Sequence, residues 1–317
     1  MPFNYDYSEP ARLFSSARLL SYETSIATEN DAQLFGAYSW NLSIVGAFYP
    51  LLQIIEVSLR NTIDSAAQQH HIDNGGTGHW FDSPKYTQEL NEQQQPLTAE
   101  QVKKFKAKIS SAKKSAKDAL EEKGASNTSP SRDQIISQTD FSTWEYILDK
   151  HFYDGSDASF LWPRCMVKCF KKLPRYAQKN PAFHQRDIIR RRIEEVRSFR
   201  NRISHNEPAW KLADGKNKAL IISSLTDKLD RMMELLYWIS PKFHAYTQDI
   251  GIESRIRQLL SVRELDRYMH SYITEEISDL GKLHTLLIGV NGENKKINIK
   301  LNGELGILSP CNKKLIT

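Results

Sequence analysis

The chain is short of cysteine and of long apolar runs, and each shortage narrows its class. Of 317 residues only three are cysteine: Cys165, Cys169 and Cys311. Three thiols do not make a disulfide framework, and the composition fits a reducing, cytoplasmic compartment. Cys165 and Cys169 lie one helical turn apart, yet no His or Cys pair stands at a spacing that completes a zinc site. No metal and no cofactor is therefore expected. The longest apolar run, Leu42 to Leu52, contains Pro50 and falls short of the roughly 18–20 residues that cross a bilayer. The opening Met-Pro-Phe-Asn-Tyr-Asp lacks the basic region and apolar core of a secretory signal. No membrane partner is expected either.

Apolar residues make up 40% of the chain, enough at this length to build a buried core. Net charge is +5, but it is unevenly placed. Residues 164–202 hold thirteen Lys or Arg against three Asp or Glu, so the remainder of the chain is net acidic. Clustered positive charge suits a polyanionic partner, because Lys and Arg contacts to phosphate supply affinity without sequence preference. A solvated helix face would carry the same composition.

Helical periodicity dominates. Short helices are expected around Ala11–Leu20 and Asp31–Tyr38. Leu52, Ile55, Leu59, Ile63 and Ala66 then recur at spacings of three and four, the mark of one buried helical face. Gly75-Gly76-Thr77-Gly78 closes this unit in a loop that lacks the lysine of a phosphate-binding P-loop. Residues of about 83–133 look like an insertion. Thr98 and Gln101 are placed as a capping box for a helix over Ala99–Lys123, which has eight Lys against four acids and few large apolar residues. That helix is expected to pack weakly and project outward. Further helices are expected from Asp133, from Leu161-Trp162-Pro163 to before Pro174, over Phe183–Ser204, and over Ala219–Ile239. Shorter ones are expected over Glu253–Leu260, Ser261–Tyr272 and Thr274–Leu280. Polar and apolar residues alternate from Lys296 to Leu301, and Asn291-Gly292 and Asn302-Gly303 are hairpin-turn pairs. His284 to Leu308 is thus expected to form two or three short strands. The domain reading is one helical body over 1–283 with a strand-like extension over 284–317.

The chemistry concentrates at Arg200-Asn201-Arg202-Ile203-Ser204-His205. Cleaving RNA through its 2′-hydroxyl requires removal of a proton, stabilisation of charge on the phosphate, and protonation of the leaving oxygen. Histidine gives and takes protons near neutrality. Arginine grips phosphate oxygens bidentately and stays charged. Five residues separate Arg200 from His205, about 140° around a straight helix. The two share a face only if the helix unwinds near Ser204 or the imidazole turns back at the helix end. The bland alternative is that Arg200 pairs with an acid and His205 caps the C-terminus. Glu56 and Arg60 are four apart, the order of a helical ion pair. Arg60-Asn61 and Arg200-Asn201 are the two Arg-Asn dipeptides of the chain. Trp210 is the tryptophan best placed to stack on a base, although packing explains it as well.

The Arg-Asn-x-x-x-His segment resembles the Arg…His motif of HEPN ribonucleases. Tyr38-Ser39-Trp40-Asn41, Glu56-Val57-Ser58-Leu59-Arg60-Asn61, Phe141-Ser142-Thr143-Trp144, Leu161-Trp162 and the run from Arg200 to Pro208 resemble, in order, bacterial Abi-like abortive-infection proteins. The resemblance covers residues of about 10–245 and leaves the lysine-rich insertion and the tail unexplained. It implies an all-α, HEPN-like bundle and a metal-independent endoribonuclease of phage defence or toxin–antitoxin systems. Arg200 and His205 would be the catalytic pair, with Asn201 orienting one of them or the phosphate. Arg60, Asn61, Glu56, Arg197 and Arg202 would support the site or bind RNA. The family also implies a homodimer with a composite site, and restraint by an antitoxin protein or RNA. The other reading of the same residues is a non-catalytic RNA-binding or scaffold protein that keeps the helical fold.

Overall fold

The computed structural model describes residues 5–211, 217–271 and 274–311. Met1–Asn4 of the opening segment and Tyr272, the expected end of one helix, lie outside the described residues. Helix accounts for 63% of the described residues, which fixes the class as mostly helical. In chain order the helices are α1 (Ser8–Phe14), α2 (Ser16–Ser25), α3 (Asp31–Asp73), α4 (Glu100–Glu122), α5 (Arg132–Ser137), α6 (Phe141–Tyr146), α7 (Met166–Cys169), α8 (Pro181–Ser204), α9 (Lys218–Ile239), α10 (Pro241–Asp249), α11 (Ile252–Leu259), α12 (Val262–Tyr268) and α13 (Leu280–Glu293). Strands β1 (Glu89–Leu90) and β2 (Pro96–Leu97) form a small hairpin, and β3 (Glu275–Glu276), β4 (Ile297–Leu301) and β5 (Glu304–Leu308) form a sheet in that order.

The chain divides into two compact units. The first comprises residues 1–52, 199–231 and 244–317; the second comprises 53–198 and 232–243. In the first unit, Ile44, Phe48, Leu51 and the indoles of Trp40 and Trp210 are fully buried. Gly36 on α3 has the backbone of Tyr268 where a Cβ would stand, so only glycine permits that approach. The core of the second unit holds Ile55, Leu59, Ile63, Phe105, Trp144, Phe152 and Trp162.

Several expectations need correction. The helices expected at Asp31–Tyr38 and from Asn41 are one 43-residue helix that passes through Pro50. A mid-helix proline costs about 3 kcal/mol; burial of Phe48, Leu51 and Leu52 beside it offsets that cost. This helix is long and apolar enough to cross a bilayer by length and composition, which the reading of a single short apolar run had missed. Its apolar face, however, is buried by protein at Trp40, Ile44, Phe48, Ile55, Leu59 and Ile63.

Helix α4 does not project outward. Val102, Phe105, Ile109, Ala112 and Ala116 are buried along it, and Phe105 meets Trp80 and Phe152 at ring-centroid distances of 5.9 and 5.5 Å. One narrow apolar stripe suffices once α5 and α6 pack against it. Its N-cap is Ala99, with no side-chain cap, in place of the expected Thr98 box. A capping box does form at α5, between Ser131 and Gln134. The helix expected from Leu161 contracts to α7. Thr274–Asp279 is not helical: Glu275–Glu276 pairs with β4 in parallel, and helix begins only at Leu280. In the tail, Asn291-Gly292 lies inside α13, whereas Asn302-Gly303 makes the β4–β5 turn, with φ of 51° and 90°. Those two positive φ values are what a two-residue primed turn demands.

Candidate functional site

Helix α8 ends where the candidate motif ends, and the ending has a definite form. The His205 amide donates to Asn201 O at 3.0 Å, Asn206 N to Ile203 O at 3.1 Å, and Glu207 N to Arg202 O at 3.2 Å. Asn206 sits at φ 56°. These are the bonds of a Schellman cap, with His205 as the C-cap and Asn206 as the left-handed residue after it. Asparagine tolerates that conformation better than other side chains except glycine, and the buried Pro208 follows it.

The turn is pinned on several sides within the first unit. Arg202 pairs with Glu207 at 3.1 Å and donates to Trp210 O at 3.3 Å. The Ala209 amide donates to Asn41 Oδ1 at 2.9 Å, and Asn41 Nδ2 donates to the Tyr22 hydroxyl at 2.9 Å. Burial pushes the Tyr22 phenol's pKa up, so it stays a neutral hydrogen-bonding group. Trp210 is fully buried, with its ring 5.6 Å from both Tyr22 and Trp40. It is a core side chain and not a stacking platform. Arg18 of α2 donates a guanidinium hydrogen bond to the Asn206 carbonyl. The Tyr49 hydroxyl lies 3.3 Å from Ser204 Oγ.

Against this fixed backbone, three side chains are free. Arg200 and Asn201 are half-buried and His205 is exposed. None of the three makes a side-chain hydrogen bond or ion pair among the described residues. Arg200 therefore does not pair with an acid, while His205 does occupy the helix C-terminus. The helix does not unwind before His205, so Arg200 and His205 leave it about 140° apart. One helical turn joins other partners: Asn201 with His205 on one face, and Arg200 with Ser204 and its neighbour Tyr49 on another. Sequence reasoning did not find Arg18 or Tyr49. No spacing marks them, because their approach to the turn comes from tertiary packing alone.

The remaining predicted residues, Glu56, Arg60, Asn61 and Arg197, belong to the second unit. Arg60 points its Nη1 at Ser137 O, 3.5 Å away, and its buried Nε has no hydrogen-bond partner among the described residues. Glu56 is engaged as well. Asn61 is exposed. Arg197 is committed to the buried Glu145 at 2.5 Å. Burial alone would lower the Arg197 pKa, but the Glu145 hydrogen bond together with the negative charge of Glu145 and its neighbours outweighs it and raises the value.

Much of the basic run is neutralised within the second unit. Asp187 serves Arg190 at 3.3 Å and Arg191 at 2.9 Å, and Glu234 serves Arg192 at 2.5 Å. Lys172, Arg175 and Lys179, in the segment before α8, remain exposed. The two thiols of this region are structural. Cys165 and Cys169 donate to the carbonyls of Ala66 and Thr62 on α3, and burial pushes the Cys165 thiol up to about 12. Among the described residues, no group of three or more His, Cys, Asp or Glu is placed to hold a metal ion. His151 was not singled out from the sequence, yet its buried ring lies 3.0 Å from Glu89 and 3.1 Å from Thr87. Those contacts tie it to the β1 hairpin.

Comparison with protein-family models, with curated proteins and with solved structures finds no match to this chain.

Proposed function

We propose that this chain is a metal-independent endoribonuclease of the HEPN, Abi-like kind, with Arg200, Asn201 and His205 as half of its active site. One observation carries the reading. A guanidinium and an imidazole without side-chain partners among the described residues stand on a turn whose backbone is fixed by Arg18, Asn41, Arg202 and Asn206. Side chains held for packing or stability acquire partners; free ones on a rigid support suit an incoming ligand.

The chemistry follows from the residue types. The RNA 2′-oxygen attacks the adjacent phosphorus and the bond to the 5′-oxygen breaks. The products are a 2′,3′-cyclic phosphate and a 5′-hydroxyl. An imidazole takes the proton from the 2′-hydroxyl, and a second proton is delivered to the departing 5′-oxygen. Arg200 stabilises the charge on the phosphate oxygens, and Asn201, one turn from His205, orients the imidazole or the phosphate. The 140° divergence of Arg200 and His205 favours a composite site. In a homodimer, the Arg200 of one copy and the His205 of the other need not share a helix face. RNA is the substrate and the cytoplasm the place of action. An antitoxin protein or RNA would restrain a phage-defence or toxin effector of this type.

The test is cleavage of a mixed RNA substrate by the purified protein in EDTA, with analysis of the product ends. Cyclic phosphate and 5′-hydroxyl ends support the proposal, and RNA left intact at micromolar protein overturns it. The same divergence of Arg200 from His205 favours a second reading, RNA binding without turnover. In that case affinity falls steeply with salt and no product accumulates.

A further inference from the structure

Within the second unit a cavity of about 310 Å³ is lined by Gln101, Asp149, Lys150, Phe183, Arg186 and Arg190, together with Asp187. One buried cation on its wall is incompletely paired. Arg186 is only 1% exposed. One guanidinium nitrogen donates to the Leu148 carbonyl. Another stands 3.9 Å from Asp187, and its Nε is buried with no hydrogen-bond partner. The plane of the group lies over the Phe183 ring at 4.8 Å. Burial lowers the Arg186 pKa, as expected for a cation whose desolvation is incompletely compensated.

The acids near it are already engaged. Asp187 is shared with Arg190 at 3.3 Å and Arg191 at 2.9 Å. Asp149 accepts the backbone amide of His151 at 3.1 Å. Lys150 is exposed and makes no ion pair among the described residues, and the Gln101 amide is likewise uncommitted. The wall of the cavity thus offers spare donors from Lys150, Gln101 and the unpartnered Nε of Arg186, while Arg190 is held by Asp187 at 3.3 Å, Glu194 at 3.2 Å and Glu145 at 3.9 Å. A buried cation is normally answered by a well-placed anion; the Asp187 carboxylate stands 3.9 Å from Arg186 and is shared with Arg190 and Arg191.

We infer that this cavity is an anion site for a phosphate group, with Lys150 and Gln101 closing on the phosphate oxygens and Arg186 beneath them. It uses none of the residues assigned to RNA cleavage and does not depend on that reading. A phosphate of this kind is carried by free inorganic phosphate and by the 5′-phosphorylated end of an oligonucleotide.

The experiment is thermal unfolding and calorimetric titration of the full chain with inorganic phosphate, against chloride at matched ionic strength. Saturable binding and a rise in Tm with phosphate alone are expected. Lys150→Gln, at an exposed position, should weaken binding about tenfold or more. Arg186→Lys should weaken it as well, if that variant still unfolds cooperatively. An equal Tm rise in chloride overturns the proposal, as does phosphate affinity unchanged by Lys150→Gln. Titration with a 5′-phosphorylated and a 5′-hydroxyl oligonucleotide separates the two sources. Tighter binding of the phosphorylated one supports a polynucleotide end, and phosphate binding without that preference supports a free anion. Arg200→Ala should retain phosphate binding, so loss of cleavage and loss of this site are read independently.

Discussion

The amide of His205 donates to the carbonyl of Asn201 at 3.0 Å, so α8 remains helical up to the imidazole that ends it. That bond puts Asn201 and His205 on one face and sends Arg200 to another. On the proposed function, Arg200→Ala and His205→Ala should each reduce RNA cleavage by about a hundredfold or more. Neither side chain has a side-chain partner to lose among the described residues, so Tm should stay close to that of the unmodified chain. Cleavage rates and thermal unfolding measured on the same preparations check both halves of the expectation. Loss of activity accompanied by a large fall in Tm would count against a chemical role.

Asn206 gives a separate handle on the same turn. At φ 56° an alanine pays roughly 1–2 kcal/mol that asparagine largely avoids and glycine does not pay. Asn206→Ala should lower stability by about 1 kcal/mol and depress cleavage by loosening the support of His205. Asn206→Gly should hold stability within a few tenths of a kcal/mol. Denaturant unfolding of the two variants distinguishes a conformational requirement from a side-chain one.

Trp210 tests whether the aromatic beyond the motif serves packing. The ring is fully buried against Tyr22 and Trp40, and its Nε1 has no hydrogen-bond partner. Trp210→Ala should cost about 3–5 kcal/mol. Trp210→Phe should cost much less, because it keeps an aromatic core and removes an unsatisfied N–H. RNA affinity of the Phe variant, measured by titration, should match that of the original chain.

Asp140 supplies a pH-dependent term. It caps α6, accepting from the Thr143 amide at 3.2 Å and from Lys108 at 2.7 Å. Burial pushes its carboxyl up, but the bonds from Lys108 and Ser142 outweigh that and hold it below the ordinary aspartate value. A carboxylate with a lowered folded-state pKa stabilises above its unfolded pKa, and the contribution is lost as pH falls through the folded value. Asp140→Ala should cost about 1 kcal/mol at neutral pH through the lost cap. The deficit should shrink under acid conditions, below the ordinary aspartate value of about 4. Unfolding curves across that range give the comparison.

Periodicity in the sequence was enough to determine the helical class, most of α8 and α9, and the β4–β5 turn. These rest on local rules: apolar spacing at Ile189, Ile193, Val196 and Phe199, Pro208 and Pro241 beyond the ends of α8 and α9, and an Asn-Gly pair at Asn302-Gly303. The free Arg200 and His205 were also legible as residue types in a pattern. Tertiary structure decided the rest. It carried α3 through Pro50, because burial of the neighbouring side chains outweighs one lost backbone bond. It turned the lysine-rich α4 inward, because Val102, Phe105 and Ile109 needed only one partner face. It gave Arg197 to Glu145 and left Arg200 without a side-chain partner among the described residues, since such ion pairing depends on which acids arrive from distant segments. It also brought Arg18 to the turn that ends at Asn206, a contact across 188 residues that no local pattern encodes.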